Sequence, residues 1–448
     1  MSSPRGQFSS KTGFIMAAAG SAVGLGNIWG FPTQTASNGG AAFVLAYLVL
    51  AFCLAYPALM AELTLGRHSR SNTVDGLASV ASSPLTKFFG RFTGWYGIVV
   101  ASLILSFYTI IAGWMVAYLI APAAEMMSLD AAHHWLTEQS NGRNLIFGGL
   151  FAGLTMAIIA SGVESGIERW STRLMPALIV LLLLLIIYVL TQEGAAEGLK
   201  LYLLPDLSQL TNPDLIVSAM GQAFFSLSLG VGTMMIYGSY LSKDDSLPRL
   251  GAIVTTVDVG IAFTAGLLII PAMFVAQHHG ATIYSESGDL LAGPDLIFQV
   301  LPVLFESMGA AGPWVAIAFF GLMTIASLTS SISMLEVPVA RAVETSQASR
   351  PVVTLIIGGI IFAISAVIIL NFGSLFGLVV DFTTKYSQPI LGILLCIFAG
   401  WIMHRDRLLS ELKEGHEDIE DSLFWKIWPV YVRFFCPALI VLSFYKSL

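Results

Sequence analysis

Long apolar runs recur along almost the whole chain, and this recurrence restricts the fold more than any other feature of the sequence. A helix needs about 20 mostly apolar residues to cross a bilayer, and the runs are too continuous for the alternating pattern of a membrane barrel. With 56% of its 448 residues hydrophobic and 11% charged, the chain lies outside the range of soluble domains. We therefore predict an all-α polytopic membrane protein. Its eleven spans are expected at residues 13–36, 41–66, 90–122, 145–162, 169–190, 214–241, 250–278, 311–340, 351–371, 374–402 and 424–445.

Lysine and arginine are unevenly distributed among the connections between these spans. Cations concentrate in alternate connections, such as Arg67, Arg70 and Lys87 between the second and third spans. The opposite connections hold few, chiefly Arg143 and Lys200, and the one from 279 to 310 has none. Cytoplasmic connections carry an excess of Lys and Arg. We therefore expect a multi-pass protein of the inner (plasma) membrane with a cytoplasmic N-terminus, and the odd number of spans then leaves the C-terminus outside.

Two of the spans contain polar and glycine-rich interruptions. The first carries SAVGLGN from Ser21 to Asn27, and the sixth carries SLSLGVGT from Ser226 to Thr233. Glycine costs about 1 kcal/mol relative to alanine inside a helix, and irregular backbone persists in a bilayer only where it faces a cavity, an ion or buried protein. Close helix packing is the alternative use of such glycines. The first and sixth positions are equivalent in two five-helix halves, which predicts an inverted-repeat bundle with a site near its midplane.

The motifs around these interruptions resemble one family. The run GSAVGLGNIWGFP followed by ASNGGAAF is similar to the first-helix signature of the neurotransmitter:sodium symporter family, whose bacterial members carry amino acids. The resemblance extends from about Arg5 to Trp401, and eleven spans are also typical of many bacterial members. Further matching motifs are MAELTLGR at 60–67, GQAFFSLSLGVG at 221–232, SYLSKDD at 239–245 and ASLTSSISM at 326–334.

The resemblance implies a single transporter domain over residues 1–448. Its first five-helix repeat is expected at 13–190 and its second at 214–402, with unwound first and sixth helices. Residues 403–448 then form a connector and an eleventh helix. The charged stretch from His404 to Ser422 is predicted to be a solvated cytoplasmic connector.

Two sodium sites are implied by the resemblance, and both use oxygens of the unwound backbone. The first site would be completed by the carboxylate of the substrate. Its protein ligands would be the carbonyl of Ala22 and the side chains of Asn27, Ser226 and Asp258. The second site would use the carbonyls of Gly20, Val23 and Ala326 and the hydroxyls of Thr329 and Ser330.

Asp258 and Glu62 are acids within predicted spans. Placing an ionisable side chain inside a bilayer costs free energy, so such residues indicate a function. Asp258 stands where many relatives have asparagine, and an aspartate that reaches cytoplasmic water is the alternative. Glu62 is a candidate proton carrier or a charge buried by hydrogen bonds. The chloride site of animal relatives would match Tyr47, Gln222, Ser226 and Ala262, but Ala262 has no side-chain oxygen. We therefore expect chloride independence, with proton counter-movement as the substitute.

The resemblance places the substrate between the two interruptions, where helix amino ends stabilise a carboxylate and carbonyl-rich ends accept an ammonium group. A small neutral amino acid, aliphatic or aromatic, is expected; another small zwitterion, such as GABA or taurine, and an amino acid sensor are the alternatives. The lid would be formed by Phe225 and Tyr108. The implied substrate-binding residues are Ala22, Gly24, Gly26, Ile104, Tyr108, Phe225, Ser226, Ser228, Val231, Ser331 and Met334.

Two gates are implied on either side of the substrate. The cytoplasmic gate would pair Arg5 with Glu344, and Phe8, which replaces a common tryptophan, would lie near Ser239 and Tyr240. On the outer side Gly30 stands where relatives usually have the arginine that pairs with an aspartate, here Asp381. Lys385 is expected to be a local partner of Asp381. A looser outer gate is therefore expected, with Gln34 as a further polar contact.

Other functions are disfavoured by missing motifs. We find no paired histidines with metal spacing, no P-loop and no Gly-x-Ser-x-Gly elbow, so an enzyme is not expected. A channel would usually present a repeated filter on a symmetric oligomer, and none is apparent. The expected partners are an amino acid, two sodium ions and the lipid bilayer, with neither nucleic acid nor an obligate protein partner.

Overall fold

The bundle consists of helical spans joined by short connecting helices. The computed structural model describes residues 6–284, 290 and 296–445. Within that part of the chain, an isolated bridge between Tyr284 and Leu290 is the only extended pairing. The expectation of an all-α bundle is confirmed. Among the described residues, nine continuous helices are long and apolar enough to cross a bilayer: Ala41–Ser69, Pro84–Met126, Asn141–Ala160, Val163–Leu190, Leu247–His278, Gly309–Thr345, Arg350–Leu370, Phe372–Ile402 and Leu423–Tyr445.

The first and sixth predicted spans are interrupted helices. Span 1 consists of Lys11–Ala22 and Gly26–Ser37, which meet at an angle of 54°. Span 6 consists of Pro213–Ser226 and Thr233–Gly238. We number the nine continuous helices in chain order as spans 2–5 and 7–11. With span 1 as a bent pair, ten spans among the described residues have the length and composition to cross a bilayer, and we keep the number 6 for the two halves of the sixth predicted span.

The breaks occur where the sequence offers residues that leave the helix easily. In span 1 the backbone of Val23 is extended, with φ −73° and ψ 95°, and the helix resumes after Gly24. In span 6 three residues have positive φ angles: Ser228 at 51°, Gly230 at 69° and Gly232 at 83°. Glycine adopts this region at little cost. Ser228 is the exception, and its hydroxyl donates to the carbonyl of Ser21, which joins the two breaks (2.9 Å).

Spans 3 and 8, Pro84–Met126 and Gly309–Thr345, pack against each other through the middle of the bundle. They are also the longest spans, so they must tilt or extend past the bilayer. The apolar runs did not reveal the short helices between spans, because these are amphipathic and cover the bundle ends. They are Thr73–Val80, Asp130–Thr137, Ala195–Leu203, Leu301–Ser307 and Arg405–Lys413.

The connector before span 11 is less solvated than the sequence suggested. Its helix, Arg405–Lys413, packs at the bundle end where span 1 begins, which we call the N-terminal face. There Arg67, fully buried at the end of span 2, donates from Nε to Glu411 Oε1 (2.6 Å) and also binds the carbonyls of Glu411 and Asp245. Lys11 pairs with the carboxylate of Asp245 (3.1 Å). Charge alone predicted solvation, but the contacts of Arg67 hold the connector against span 2 and the loop after span 6.

Candidate transport site at the two helix breaks

A buried polar cluster joins the breaks of spans 1 and 6 to span 7. Asn27 Nδ2 donates to Ser226 Oγ (3.0 Å) and to Asp258 Oδ1 (2.7 Å), and Ser226 Oγ donates to Asp258 Oδ2 (2.7 Å). The other amide atom, Asn27 Oδ1, is buried and accepts no hydrogen bond within the described part of the chain. An unsatisfied buried acceptor is costly. Next to a buried carboxylate, it is the kind of oxygen that a cation requires. Ala22, also predicted here, ends the first half of span 1 and is buried.

The second predicted ion site gathers carbonyl and hydroxyl oxygens between spans 1 and 8. The hydroxyl of Ser330 lies within 3.2–3.4 Å of the carbonyl oxygens of Gly20, Ser21 and Val23. The neighbouring Thr329 Oγ1 donates to the carbonyl of Ala326 (3.0 Å). All five residues predicted for this site are therefore brought together. The carbonyl of Ser21 is an additional oxygen that the sequence comparison did not suggest.

Two glycines of the span 1 break are packed so closely against other side chains that a Cβ would clash. A Cβ on Gly24 would lie 2.5 Å from Ser330 Oγ and 2.9 Å from Tyr108 Oη, and one on Gly26 would lie 2.9 Å from the ring of Phe225. Tyr108 Oη accepts a hydrogen bond from the backbone N–H of Leu25 (3.2 Å). The break thus presents bare backbone beneath two aromatic side chains.

The remaining predicted substrate residues are placed on spans 3, 6 and 8. Phe225 is 40% exposed, whereas Tyr108 is buried, so Phe225 is the more accessible of the two predicted lid residues. Ser331 directs its hydroxyl to the carbonyl of Ser327 in its own helix (2.8 Å). The others are apolar and buried: Ile104, Val231 and Met334.

The unwound part of span 6 is fixed by side chains from two other spans. Glu62 Oε1 of span 2 accepts a hydrogen bond from the backbone N–H of Gly230 (2.8 Å). From span 10, Gln388 Nε2 donates to the carbonyl of Leu229 (2.8 Å). Backbone groups freed by a break must find new partners in a bilayer. Glu62 and Gln388 provide them, so the break is a defined structure rather than a loose segment.

At the N-terminal face, an aromatic and ionic cluster covers the first half of span 1. The ring of Phe8 packs edge-on against Phe14 and Tyr237, with centroids 5.6 Å apart in each case, and its N–H donates to the carbonyl of Tyr240 (3.2 Å). Tyr240 Oη donates to the fully buried Glu336 (2.6 Å). Arg350 in turn pairs with Glu336.

The predicted pair at this face is only partly within the structure. Arg5 lies outside the described residues. Glu344 accepts hydrogen bonds from the backbone and side-chain nitrogens of Asn72 (3.1 and 2.6 Å). The hydroxyl of Ser239 donates to the carbonyl of Ile236 (2.5 Å). The face is thus closed by bonds between the connection after span 2 and the end of span 8.

At the opposite face, the acid expected in a gate is paired locally. Lys385 Nζ lies 2.9 Å from Asp381 Oδ1, one helical turn away, and both side chains are about half exposed. Gln34 accepts a hydrogen bond from Asn38 on its own helix (3.0 Å). A Cβ on Gly30 would be 3.7 Å from Gln222 Oε1, an ordinary contact distance.

Comparison with known proteins decides the family. A family model described as the sodium:neurotransmitter symporter family matches residues 5–145 and 148–448. The chain belongs to this family. It is therefore a sodium-dependent membrane transporter rather than an enzyme.

Individual relatives of this symporter span nearly its full length. A sodium-dependent transporter of Bacillus subtilis is 35% identical over 98% of this chain and 96% of its own. A sodium-dependent transporter of Methanocaldococcus jannaschii is 30% identical over 94% of this chain and 87% of its own. The crystal structure of MhsT in complex with L-phenylalanine is similar at 37% identity, with a TM-score of 0.83, and covers 99% of this chain and all of its own.

Several residues that shape this symporter's site were missed from the sequence. Gln388, which binds the span 6 break, lies in the polar stretch before a proline, a weak signal. Glu336 gave a stronger one, because it is a charge within an apolar run. Asn72 caps the helix Thr73–Val80 and also binds Glu344.

Replacing Gly24 by alanine should weaken amino acid binding by the symporter about 30-fold. The added methyl group would displace Ser330 Oγ or Tyr108 Oη, which are both held by backbone groups. Overpacking of this kind costs about 1–3 kcal/mol. Equilibrium binding of labelled L-phenylalanine to purified protein measures the change. Gly153→Ala is the matched control, since no atom lies within 4 Å of the Cβ position there. Equal affinity in the two variants would contradict a substrate-binding role for the backbone at Gly24.

Introducing arginine at Gly30 should reduce the outward-open population of the symporter. The new guanidinium would compete with Lys385 for Asp381, so the double change Gly30→Arg with Lys385→Gln should act more strongly than Gly30→Arg alone. An exposed ion pair contributes about 0.2–1 kcal/mol, which corresponds to at most about a 5-fold change. Labelling of a cysteine introduced at Gln34 reports accessibility. Unchanged labelling in the double variant would argue against a gate at this position.

Proposed function

We propose that the protein imports a small neutral, hydrophobic amino acid together with sodium by alternating access. The observation that carries this proposal is the buried acceptor Asn27 Oδ1 beside the carboxylate of Asp258, at the point where both interrupted helices meet. A cation there is bound by the protein and is also close to the bare backbone at Gly24 and Gly26, so that the substrate carboxylate can contact it. Sodium then becomes part of substrate recognition.

Two sodium sites are proposed. The first comprises Ala22, Asn27, Ser226 and Asp258, with the substrate carboxylate. The second comprises Gly20, Val23, Ala326, Thr329 and Ser330, and the proximity of Ser330 Oγ to three carbonyl oxygens supports it. The second site contacts no substrate, so its ion holds spans 1 and 8 together.

A hydrophobic amino acid is the proposed substrate. The surrounding side chains Ile104, Phe225, Val231 and Met334 are apolar. The similar MhsT structure contains L-phenylalanine. A GABA transporter of Rattus norvegicus, 24% identical over 99% of this chain, motivates GABA as a competing substrate in the test.

We further infer a cytoplasmic N-terminus and an inner-membrane location, with the two five-helix repeats at 13–190 and 214–402. The cations of the N-terminal face, such as Arg67, Arg70 and Arg341, support this orientation. Alternating access then opens either the Phe8 cluster, towards the cytoplasm, or the face of Asp381 and Phe225, towards the outside.

Uptake into proteoliposomes tests the proposal. Labelled L-phenylalanine should accumulate only with an inward sodium gradient, and unlabelled leucine or phenylalanine should compete whereas GABA and taurine should not. Substrate binding without sodium-driven accumulation would indicate a sensor. If GABA competed and neither leucine nor phenylalanine did, the proposed hydrophobic amino acid substrate would be wrong.

Uptake should be independent of chloride. The hydroxyls of Tyr47 and Ser226, at the matching positions, already contact each other (3.0 Å), and Ser226 also donates to Asp258. A carboxylate thus lies where an anion would bind, and two adjacent negative charges repel each other. Replacing chloride by gluconate should leave the initial rate unchanged, with the sodium concentration held constant. Loss of uptake in gluconate would overturn this assignment. We propose that protons leave in exchange, with Asp258 or Glu62 as the carrier.

A further inference from the structure

A second cavity lies away from the helix breaks, at the face opposite the N-terminal face. Its volume is about 510 Å³, and it is lined by the end of span 3, the start of span 8 and the helices Asp130–Thr137 and Leu301–Ser307. Ligand sites for small molecules usually have volumes of about 300–1,000 Å³. The cavity is therefore large enough for a ligand of ordinary size.

Aromatic rings form one wall of this cavity. The ring of Tyr118 lies 5.0 Å from that of Phe298 and 5.1 Å from that of Phe320, and Phe305 lies 6.1 Å from Phe320. Aromatic faces attract cations as well as apolar groups. The ring of Tyr118 already contacts one cation, because the buried guanidinium of Arg143 lies 5.4 Å from its centre. Arg143 is not part of the cavity lining.

The rim of the cavity is acidic. Glu125 and Glu306 are among the residues that line it, together with His133. Among the described lining residues there is no lysine or arginine. Neither carboxylate forms an ion pair or side-chain hydrogen bond with any other residue that the structure describes. The described residues also include no cluster of three or more His, Cys, Asp or Glu side chains arranged for a metal ion. The two carboxylates are thus available to a ligand in the cavity.

We propose that this cavity binds an organic cation, an amine with an apolar body. The apolar body packs on Tyr118, Phe298 and Phe320, while the ammonium group faces Glu125 and Glu306. A zwitterionic amino acid fits poorly, because its carboxylate would meet two negative charges and no cation. The site is therefore distinct from the proposed transport site and does not depend on the proposed substrate.

Calorimetric titration of the full-length protein with phenyltrimethylammonium tests the proposal. Sodium and saturating L-phenylalanine are present, so that the transport site is occupied. One ion is expected to bind per chain, and choline should displace it whereas the neutral isostere 3,3-dimethylbutan-1-ol should not. Equal displacement by both compounds would overturn the proposal, because the ammonium charge would then have no part in recognition.

Substitutions of lining residues test whether the organic cation binds in this cavity. Exposed charge pairs contribute about 0.2–1 kcal/mol each, so Glu125→Gln with Glu306→Gln should weaken binding about 10-fold. Both side chains are exposed, so folding should be preserved. Glu138→Gln, an exposed acid of the same face outside the lining, is the matched control. Phe298→Leu should weaken binding about 5-fold, because the apolar body of the ligand loses an aromatic ring on which it packs. Unchanged affinity in the double glutamine variant would disprove the site. Failure of L-phenylalanine to bind would affect only the proposed function.

Discussion

Replacing Asp258 by alanine is expected to reduce sodium-driven amino acid uptake at least about 100-fold. The carboxylate accepts hydrogen bonds from Asn27 and Ser226 in a fully buried cluster, and its removal takes this charged acceptor from both donors, although Asn27 keeps its bond to Ser226. A hydrogen bond to a charged group contributes about 1.5–3 kcal/mol, and 2.7 kcal/mol already corresponds to a factor of about 100. The proposed ion would also lose its only charged protein ligand.

Sodium titration of uptake distinguishes this loss from misfolding. Asp258→Asn keeps the shape of the side chain and one acceptor oxygen, so it should retain transport but require about 10-fold more sodium, because the ion site has lost a negative charge. Asp206→Ala, which alters an acid in an exposed loop, serves as the control. A properly folded Asp258→Ala protein with the sodium dependence of the unmodified chain would refute an ion ligand at this position.

Replacing Arg67 by methionine should lower the free energy of unfolding by about 3–5 kcal/mol. Its guanidinium is buried with Glu411, and removal of one member of a buried pair leaves the other charged and uncompensated. Methionine preserves the length of the aliphatic chain, so the loss reflects charge and hydrogen bonds. Denaturation of the purified protein in detergent provides the measurement.

A nearby pair supplies the matched control for Arg67. Lys243 and Glu414 also join the connector to the loop after span 6, but both are exposed. Lys243→Met should therefore change stability by at most about 1 kcal/mol. If the two methionine variants were equally stable, the buried contacts of the connector would have no energetic importance.

The contribution of Arg67 to the free energy of unfolding should depend on pH. Burial alone would raise the pKa of Glu411, but the hydrogen bond from His68 and the charge of Arg67 outweigh it and lower the pKa below the ordinary 4.5. A carboxyl with a lowered pKa in the folded state stabilises the protein fully above pH 4.5, and this contribution is lost as the pH falls through the lowered value. The stability difference between the unmodified protein and Arg67→Met should therefore be constant near neutral pH and shrink in acid.

The sequence predicted the spans and their two breaks because both depend on local properties. Apolar length determines whether a helix can cross a bilayer, and the glycines and hydroxyl residues near Gly24 and Gly230 weaken the helix where they occur. The long-range partners could not be predicted in this way. Arg67 and Glu411 are separated by 344 positions, and no periodicity in either segment indicates that they meet.

Polar residues within apolar runs were informative to different degrees. Functional roles could be predicted for Asp258 and Glu62, because a charge in a span requires a partner. Gln388 did not, since an uncharged amide in a span has many possible uses. The local pairing of Asp381 with Lys385 followed from their spacing on one helix, whereas the structure was needed to identify Asn72 as a partner of Glu344.

The hydroxyl of Ser330 among three carbonyl oxygens has a consequence for the part of the cycle in which no ion is bound. Converging carbonyl dipoles repel one another, and a lone hydroxyl hydrogen at their centre partly offsets that repulsion. In the proposed transport cycle, span 1 would therefore keep its bend after sodium leaves the proposed second site. Rebinding of sodium there would require rotation of the Ser330 hydroxyl, and the break in span 1 would not need to refold.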